Sequence, residues 1–126
     1  MSNCRLIISL SSDISYDRLR DGLNTVLFNL LKDYDSVQII VSAKYDVNKL
    51  CERYSFETGY DLRYFISTPE YYGTLTDFGV ELEMLNFVRE SDYFALVSFL
   101  DTNARQSNTI LSIADKLNVS LDTYYF

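Results

Sequence analysis

SVQIIVSAKYDVNKLCERY, Ser36–Tyr54, opens on an apolar run (Val37, Ile39, Ile40, Val41) that stops at Ser42-Ala43 and passes within a few residues into an amphipathic stretch. A short unbroken hydrophobic run is the signature of a strand buried on both faces, because helices cover both sides of a parallel sheet. The spacing therefore predicts a central strand over Val37–Ser42. The turn that follows, Ala43–Asn48, stands where open α/β sheets place their ligands.

Working outward, Cys4–Leu10 reads as a first strand, with Ser11-Ser12-Asp13 as turn and helix cap. Leu19, Leu23, Val26, Leu27, Leu30 and Leu31 have helical spacing within Tyr16–Asp33. A second helix over Asp46–Thr58 buries Val47, Leu50, Cys51 and Tyr54 and ends at Gly59, in the place of a C-terminal cap. Asp61–Ile66 is a third strand of mixed polarity, expected near an edge, and Ser67–Gly73 is the longest irregular piece. Thr76–Arg89 is a third helix, Asp92–Phe99 a second strongly apolar strand, and Asp101–Ser107 a polar turn. A last helix marked by Ile110, Ile113, Ala114 and Leu117 leads to Val119–Tyr125, which alternates like an outer strand. Strict β-α alternation implies right-handed crossovers and a parallel sheet. The expected fold is an α/β, Rossmann-like three-layer sandwich with a five-stranded parallel sheet ordered 3-2-1-4-5. The order reverses between the first and fourth strands, so the turns after Leu10 and Phe99 flank a crevice.

The 126 residues suit one domain, and 48% apolar with 23% charged content is ordinary for a folded protein. Histidine is absent, which removes the usual general base and the commonest metal ligand. Cys4 and Cys51 are too far apart for a CxxC motif and read as buried or neutral thiols in a reducing compartment. The amino terminus lacks a signal-peptide pattern, and no run approaches the ~18 apolar residues of a membrane span, so the expectation is a cytoplasmic protein with no membrane partner. A net charge of −7 argues against nucleic-acid binding, which needs a basic face.

The order of segments resembles the YspA-related domains of the SLOG superfamily, the Rossmann-like group that includes DprA and the LOG phosphoribohydrolases. Val41-Ser42-Ala43-Lys44 stands where that family has Val-Ser-Gly-Gly-Ala, and Asn48-Lys49-Leu50-Cys51-Glu52-Arg53-Tyr54 where it has Asp-Arg-Leu-Ala-Glu-Arg-Tyr. Tyr72-Gly73 and Glu83-Met84-Leu85 match its Tyr-Gly and Glu-Met-Leu. Asp101–Ser107 replaces its Asp-Gly-x-Ser-x-Gly-Thr turn, with Thr102 and Gln106 at the glycine positions. Leu10 and Ser12 stand for the Gly and Arg of the first motif, and Val80-Glu81 for an Arg-Asn pair. The resemblance, running from about Leu6 to Tyr125, implies that residues 1–126 form a single SLOG-like domain. Its phosphate cradle is either rebuilt for another ligand or closed.

A phosphate site can exist without glycines, because helix N-termini offer unpaired N–H groups and about +0.5 of a charge. Ser11, Ser12, Ser42, Thr102, Asn103 and Ser107 fall at strand-to-helix turns and can donate; the competing reading is that they only cap helices. Lys44 and Arg105 supply cationic charge, Arg with a bidentate grip. Tyr72 is the expected lid, and Tyr45 and Tyr71 are further aromatics for a base or a partner. Nothing matches the Pro-Gly-Gly-x-Gly-Thr motif of the LOG enzymes. A carboxylate pair drawn from Glu81, Glu83, Asp13 and Asp101 is conceivable, but surface acids are commonplace in an acidic chain.

The reading is a binding protein that senses or sequesters a nucleotide-derived small molecule without catalysis, metal or cofactor. Scarce Gly, Pro, Trp and His suggest AT-rich coding and a phage or mobile-element protein. The alternative is an interaction scaffold with a dead crevice, binding a host protein through an acidic or aromatic surface. A nucleotide hydrolase is third. Tyr124-Tyr125-Phe126 and exposed sheet edges point to a homo-oligomer.

Overall fold

The computed structural model describes the backbone of residues 2–43, 45–66, 76–99 and 105–126, and their side chains except at 76–78 and 105–107. In chain order the elements are β1 (Asn3–Ser9), α1 (Tyr16–Leu30), β2 (Ser36–Ser42), a single 3-10 turn (Asp46–Asn48) and α2 (Lys49–Thr58). Then follow β3 (Asp61–Phe65), α3 (Thr76–Val88), β4 (Tyr93–Ser98), α4 (Arg105–Lys116) and β5 (Asp122–Tyr125). The strands form one sheet ordered β3-β2-β1-β4-β5, and every neighbouring pair is parallel. This is the Rossmann-like sandwich that the alternation predicts, and the order reverses between β1 and β4.

Period-two alternation divides the central strands between two cores. Leu6, Ile8, Ile39, Val41, Ala95 and Val97 face α1 and α2, where they meet Leu19, Leu23, Leu27, Cys51 and Tyr54. Ile7, Ile40 and Leu96 face the other way, onto Val80, Met84, Leu85 and Val88 of α3 and Ile110 and Ala114 of α4. Both faces of β1, β2 and β4 are thus apolar through their central residues, which is why their sequences read as hydrophobic runs. β3 and β5 are the edges.

Several local expectations shift. Ser15, not the Ser11-Ser12-Asp13 segment, caps α1: its side chain accepts from the Arg18 N–H at 3.2 Å, while the Ser11 carbonyl accepts from Ile14 N–H. Gly59 does end α2, at φ 80°, with its N–H bonded to the Ser55 carbonyl at 2.8 Å. The final strand starts at Asp122 rather than Val119. Asn118 adopts φ 56° and Val119 N–H returns to the Ala114 carbonyl at 2.8 Å, so the first part of that alternating stretch is the closing turn of α4. Val119 and Leu121 still pack on the α3–α4 core, which explains their apolar character. The terminal aromatics are largely taken up within the fold. Tyr124 shares a hydroxyl contact of 3.1 Å with Tyr93, and Phe126 stacks on Phe99 at 5.3 Å; Tyr125 stays exposed.

Candidate functional site

A parallel sheet gathers all its strand ends on one edge, and the polar groups inside this protein gather there too. Among the described residues the buried polar or charged side chains are Ser9, Ser11, Ser42, Asn48, Glu81 and Ser98. Ser9, Ser42 and Ser98 are the last residues of β1, β2 and β4. Ser9 lies opposite Ser98 in the ladder, and the register that aligns Ile7 with Ile40 brings Ser42 level with Ser9. The three serines follow Ile7, Ile40 and Leu96 by two residues each, so they point to the same face, that of α3 and α4.

Glu81 lies in the first half of α3. That helix carries the chain from the C-terminal end of β3 back to the start of β4, so its own N-terminal end lies at the sheet's C-terminal edge. Glu81 is followed by Met84, Leu85 and Val88 at i+3, i+4 and i+7 on the core-facing side, which carries the carboxylate inward. Glu83 and Asp13 are exposed. Polar burial is unfavourable unless hydrogen bonds replace water, so its concentration at one edge among the described residues sets that edge apart from the more apolar body of the core.

On the α2 side, Asn48 is fully buried in the 3-10 turn. Its amide donates to the Ser42 carbonyl at 2.7 Å and ties the turn to the end of β2. Its Oδ1, like the Oγ of Ser11, has no hydrogen-bond partner among the described residues. Beyond the ends of β2 and β3 a pocket of about 200 Å³ is lined by Tyr45, Asp46, Lys49, Glu52, Tyr64 and Ile66, with Ala43 at its rim. The Tyr64 hydroxyl reaches the Asn48 carbonyl at 3.3 Å. Burial, reinforced by a hydrogen bond to Glu52, raises the Tyr64 pKa well above the ordinary phenol value, so the hydroxyl is a neutral donor.

Of the residues expected at the site, Ser11 and Ser42 are brought to this edge and buried, whereas Ser12 is exposed. Arg105 opens α4 and Ser107 lies in its first turn, so both stand on a helix rather than in the preceding loop; their side chains lie outside the described set. Lys44, Tyr72, Thr102 and Asn103, with Tyr71 and Asp101, lie outside the described residues. Sequence reasoning missed Ser9, Ser98 and Asn48, and set Glu81 among commonplace surface acids. A signal was present: each of the three apolar runs carries a serine near its C-terminal end, in Ile8-Ser9-Leu10, Val41-Ser42-Ala43 and Val97-Ser98-Phe99.

Cys4 and Cys51 are buried free thiols, and burial pushes each up to about 12. Neither is a thiolate nucleophile at neutral pH. Among the described residues there is no cluster of three or more metal-ligating side chains, and no helix is long and apolar enough to cross a membrane. Compared with protein-family models, with curated proteins and with solved structures, the chain matches none.

Proposed function

We propose that the chain is a SLOG-like binding domain that senses or sequesters a nucleotide-derived ligand at the C-terminal edge of its sheet without turning it over. The observation that carries this reading is the collection of buried polar side chains at that edge. Ser11 adds to it: Ser15 caps α1, so capping does not account for the Ser11 hydroxyl. A ligand phosphate would sit near the switch point between β1 and β4, against the N-terminal end of α4, where backbone N–H groups and Arg105 favour an anion. A base would lie toward Tyr45, Tyr64 and Ile66, with the Asn48 carbonyl oxygen Oδ1 an acceptor for an N–H or O–H of the ligand.

The test is a calorimetric panel of nucleotides and cyclic nucleotides on the parent, Arg105→Ala and Ser42→Ala. A charge-assisted hydrogen bond contributes about 1.5–3 kcal/mol, so Arg105→Ala should weaken binding roughly ten- to hundredfold, and Ser42→Ala should weaken it less. A parent that binds nothing across the panel would remove the reading. Binding untouched by Arg105→Ala would move the site. Slow continuing heat with product formation would instead favour a hydrolase, with Glu81 as the acid to test.

The alternative, a scaffold for a host protein, has its own support. Phe56 is 91% exposed and Phe28 69% exposed, on the α2 and α1 side of the sheet. Each lines a groove that also contains Tyr60, and apolar surface gathered on one face and rimmed by polar residues suits a partner protein.

A further inference from the structure

We propose that β3 is the contact between two copies of this chain, paired antiparallel about Leu62 so that the two five-stranded sheets join into one. The Phe65 carbonyl accepts from Ala43 N–H, so the backbone groups of Asp61, Arg63 and Phe65 point inward to β2. By alternation, those of Leu62 and Tyr64 point outward from the edge. A two-fold axis at Leu62 lets the two Leu62 residues exchange both N–H···O=C bonds. The flanking pair then falls in the non-hydrogen-bonded position, where facing side chains come closest, and it sets Asp61 of each copy opposite Arg63 of the other.

The charges favour this register over its neighbours. A polar ladder already runs across the sheet on the α3 face. Arg5 Nε donates to Gln38 Oε1 at 3.1 Å, and Gln38 Nε2 donates to Asp61 Oδ2 at 2.9 Å. The ladder ends at the edge on an exposed carboxylate, an acceptor facing outward. Arg63, also exposed, lies on the same face, its guanidinium 4.3 Å from the Phe87 ring centre and 4.8 Å from that of Phe65. In the two-fold pair it extends the ladder from the other side. Pairing centred one residue later would set Arg63 against itself. Edge charges ordinarily deter strand addition, but here they are self-complementary in one antiparallel register.

The surroundings suit a second copy as well. On the α1 and α2 face, Phe56 lines the same groove as Tyr60, Asp61 and Leu62, so the joined edges would bring two exposed Phe56 rings toward the axis. At the opposite edge Tyr124 and Phe126 are already engaged within the chain, which leaves β3 the better-equipped edge.

Sedimentation equilibrium on the full chain, from low micromolar to about 100 µM, tests this together with two variants. The parent should dimerise. Arg63→Glu faces acid with acid, Asp61→Arg faces base with base, and each alone should self-associate about ten- to hundredfold more weakly. An equimolar mixture of the two variants restores both opposite-charge pairs and should form a heterodimer, a recovery that misfolded variants would not give. A monomeric parent at the top concentration would overturn the proposal. So would a dimer unaffected by either variant, or a mixture that stays monomeric.

Discussion

Gly22 stands in the middle of α1, where glycine is normally a liability, and substituting alanine there should destabilise the protein. In an exposed helix interior the change is worth about 1 kcal/mol in favour of alanine, through backbone entropy. Here the added Cβ would lie 2.6 Å from Cε1 and 2.7 Å from Cζ of Phe99, and 3.4 Å from Cγ of Phe126. Carbon–carbon contact is comfortable at about 3.5–4.0 Å, so the Phe99 ring must retreat by about 1 Å. It has nowhere to go, because it is 2% exposed and stacks on Phe126 at 5.3 Å with the planes 22° apart. Overpacking of this kind costs about 1–3 kcal/mol. Set against the helical gain, Gly22→Ala should lose up to about 2 kcal/mol. In a Phe99→Leu background, where the ring is gone, the same change should recover most of its helical gain. A double-mutant cycle from urea midpoints, at unchanged denaturant slope, should therefore return a coupling of about 1–3 kcal/mol. A parent stabilised by about 1 kcal/mol, or a coupling below about 0.5 kcal/mol, would refute the close packing of Gly22 on Phe99.

Alkaline pH should destabilise the protein, through its buried thiols first and then through Tyr16, Tyr54, Tyr64 and Tyr93, whose hydroxyl pKa burial also raises. Cys51 is raised from 9.0 to about 12, so its contribution is complete below pH 9 and lost as the unfolded chain releases a proton that the fold retains. Between those limits each such group contributes a slope of about 1.36 kcal/mol per pH unit, and Cys51→Ala should reduce the measured slope by one proton. Ser15→Ala should lose about 0.5–2 kcal/mol as a helix cap, as checked by thermal unfolding. Ser11→Ala, which removes a buried hydroxyl with no partner among the described residues, should be neutral or stabilising yet weaken ligand binding in calorimetry. Tyr93→Phe deletes bonds to Asp122 at 2.8 Å and Tyr124 at 3.1 Å, and hydrogen exchange should show β5 opening more readily while the central strands keep their protection.

By itself the sequence determined the layered architecture, because that follows from local patterns. The runs through Ile7-Ile8, Ile39-Ile40-Val41 and Leu96-Val97 demand cover on both faces, and four crossover-length helices supply it in right-handed fashion. Strand order, and with it the switch point, was legible for the same reason. Boundaries were less so where one residue type serves two purposes. Val119 and Leu121 alternate like a strand although Val119 closes a helix and Leu121 only leads into β5, because both places require apolar residues on one core. Ser11, Ser12 and Ser15 are interchangeable as caps on composition, and only the path of the chain selects Ser15.

Tertiary structure alone decided the polar edge. Ser9, Ser42 and Ser98 are far apart in the chain and become one row only when register brings the strand ends level. Glu81 and Glu83 are two residues apart on one helix, with the same chemistry, and helical rotation buries one while exposing the other. The same holds for Asp61 and Arg63, whose complementarity depends on which backbone groups of β3 face outward, a matter fixed by its pairing with β2. Local periodicity reports which face a residue occupies. Which distant residues share that face at one height is a property of the assembled sheet.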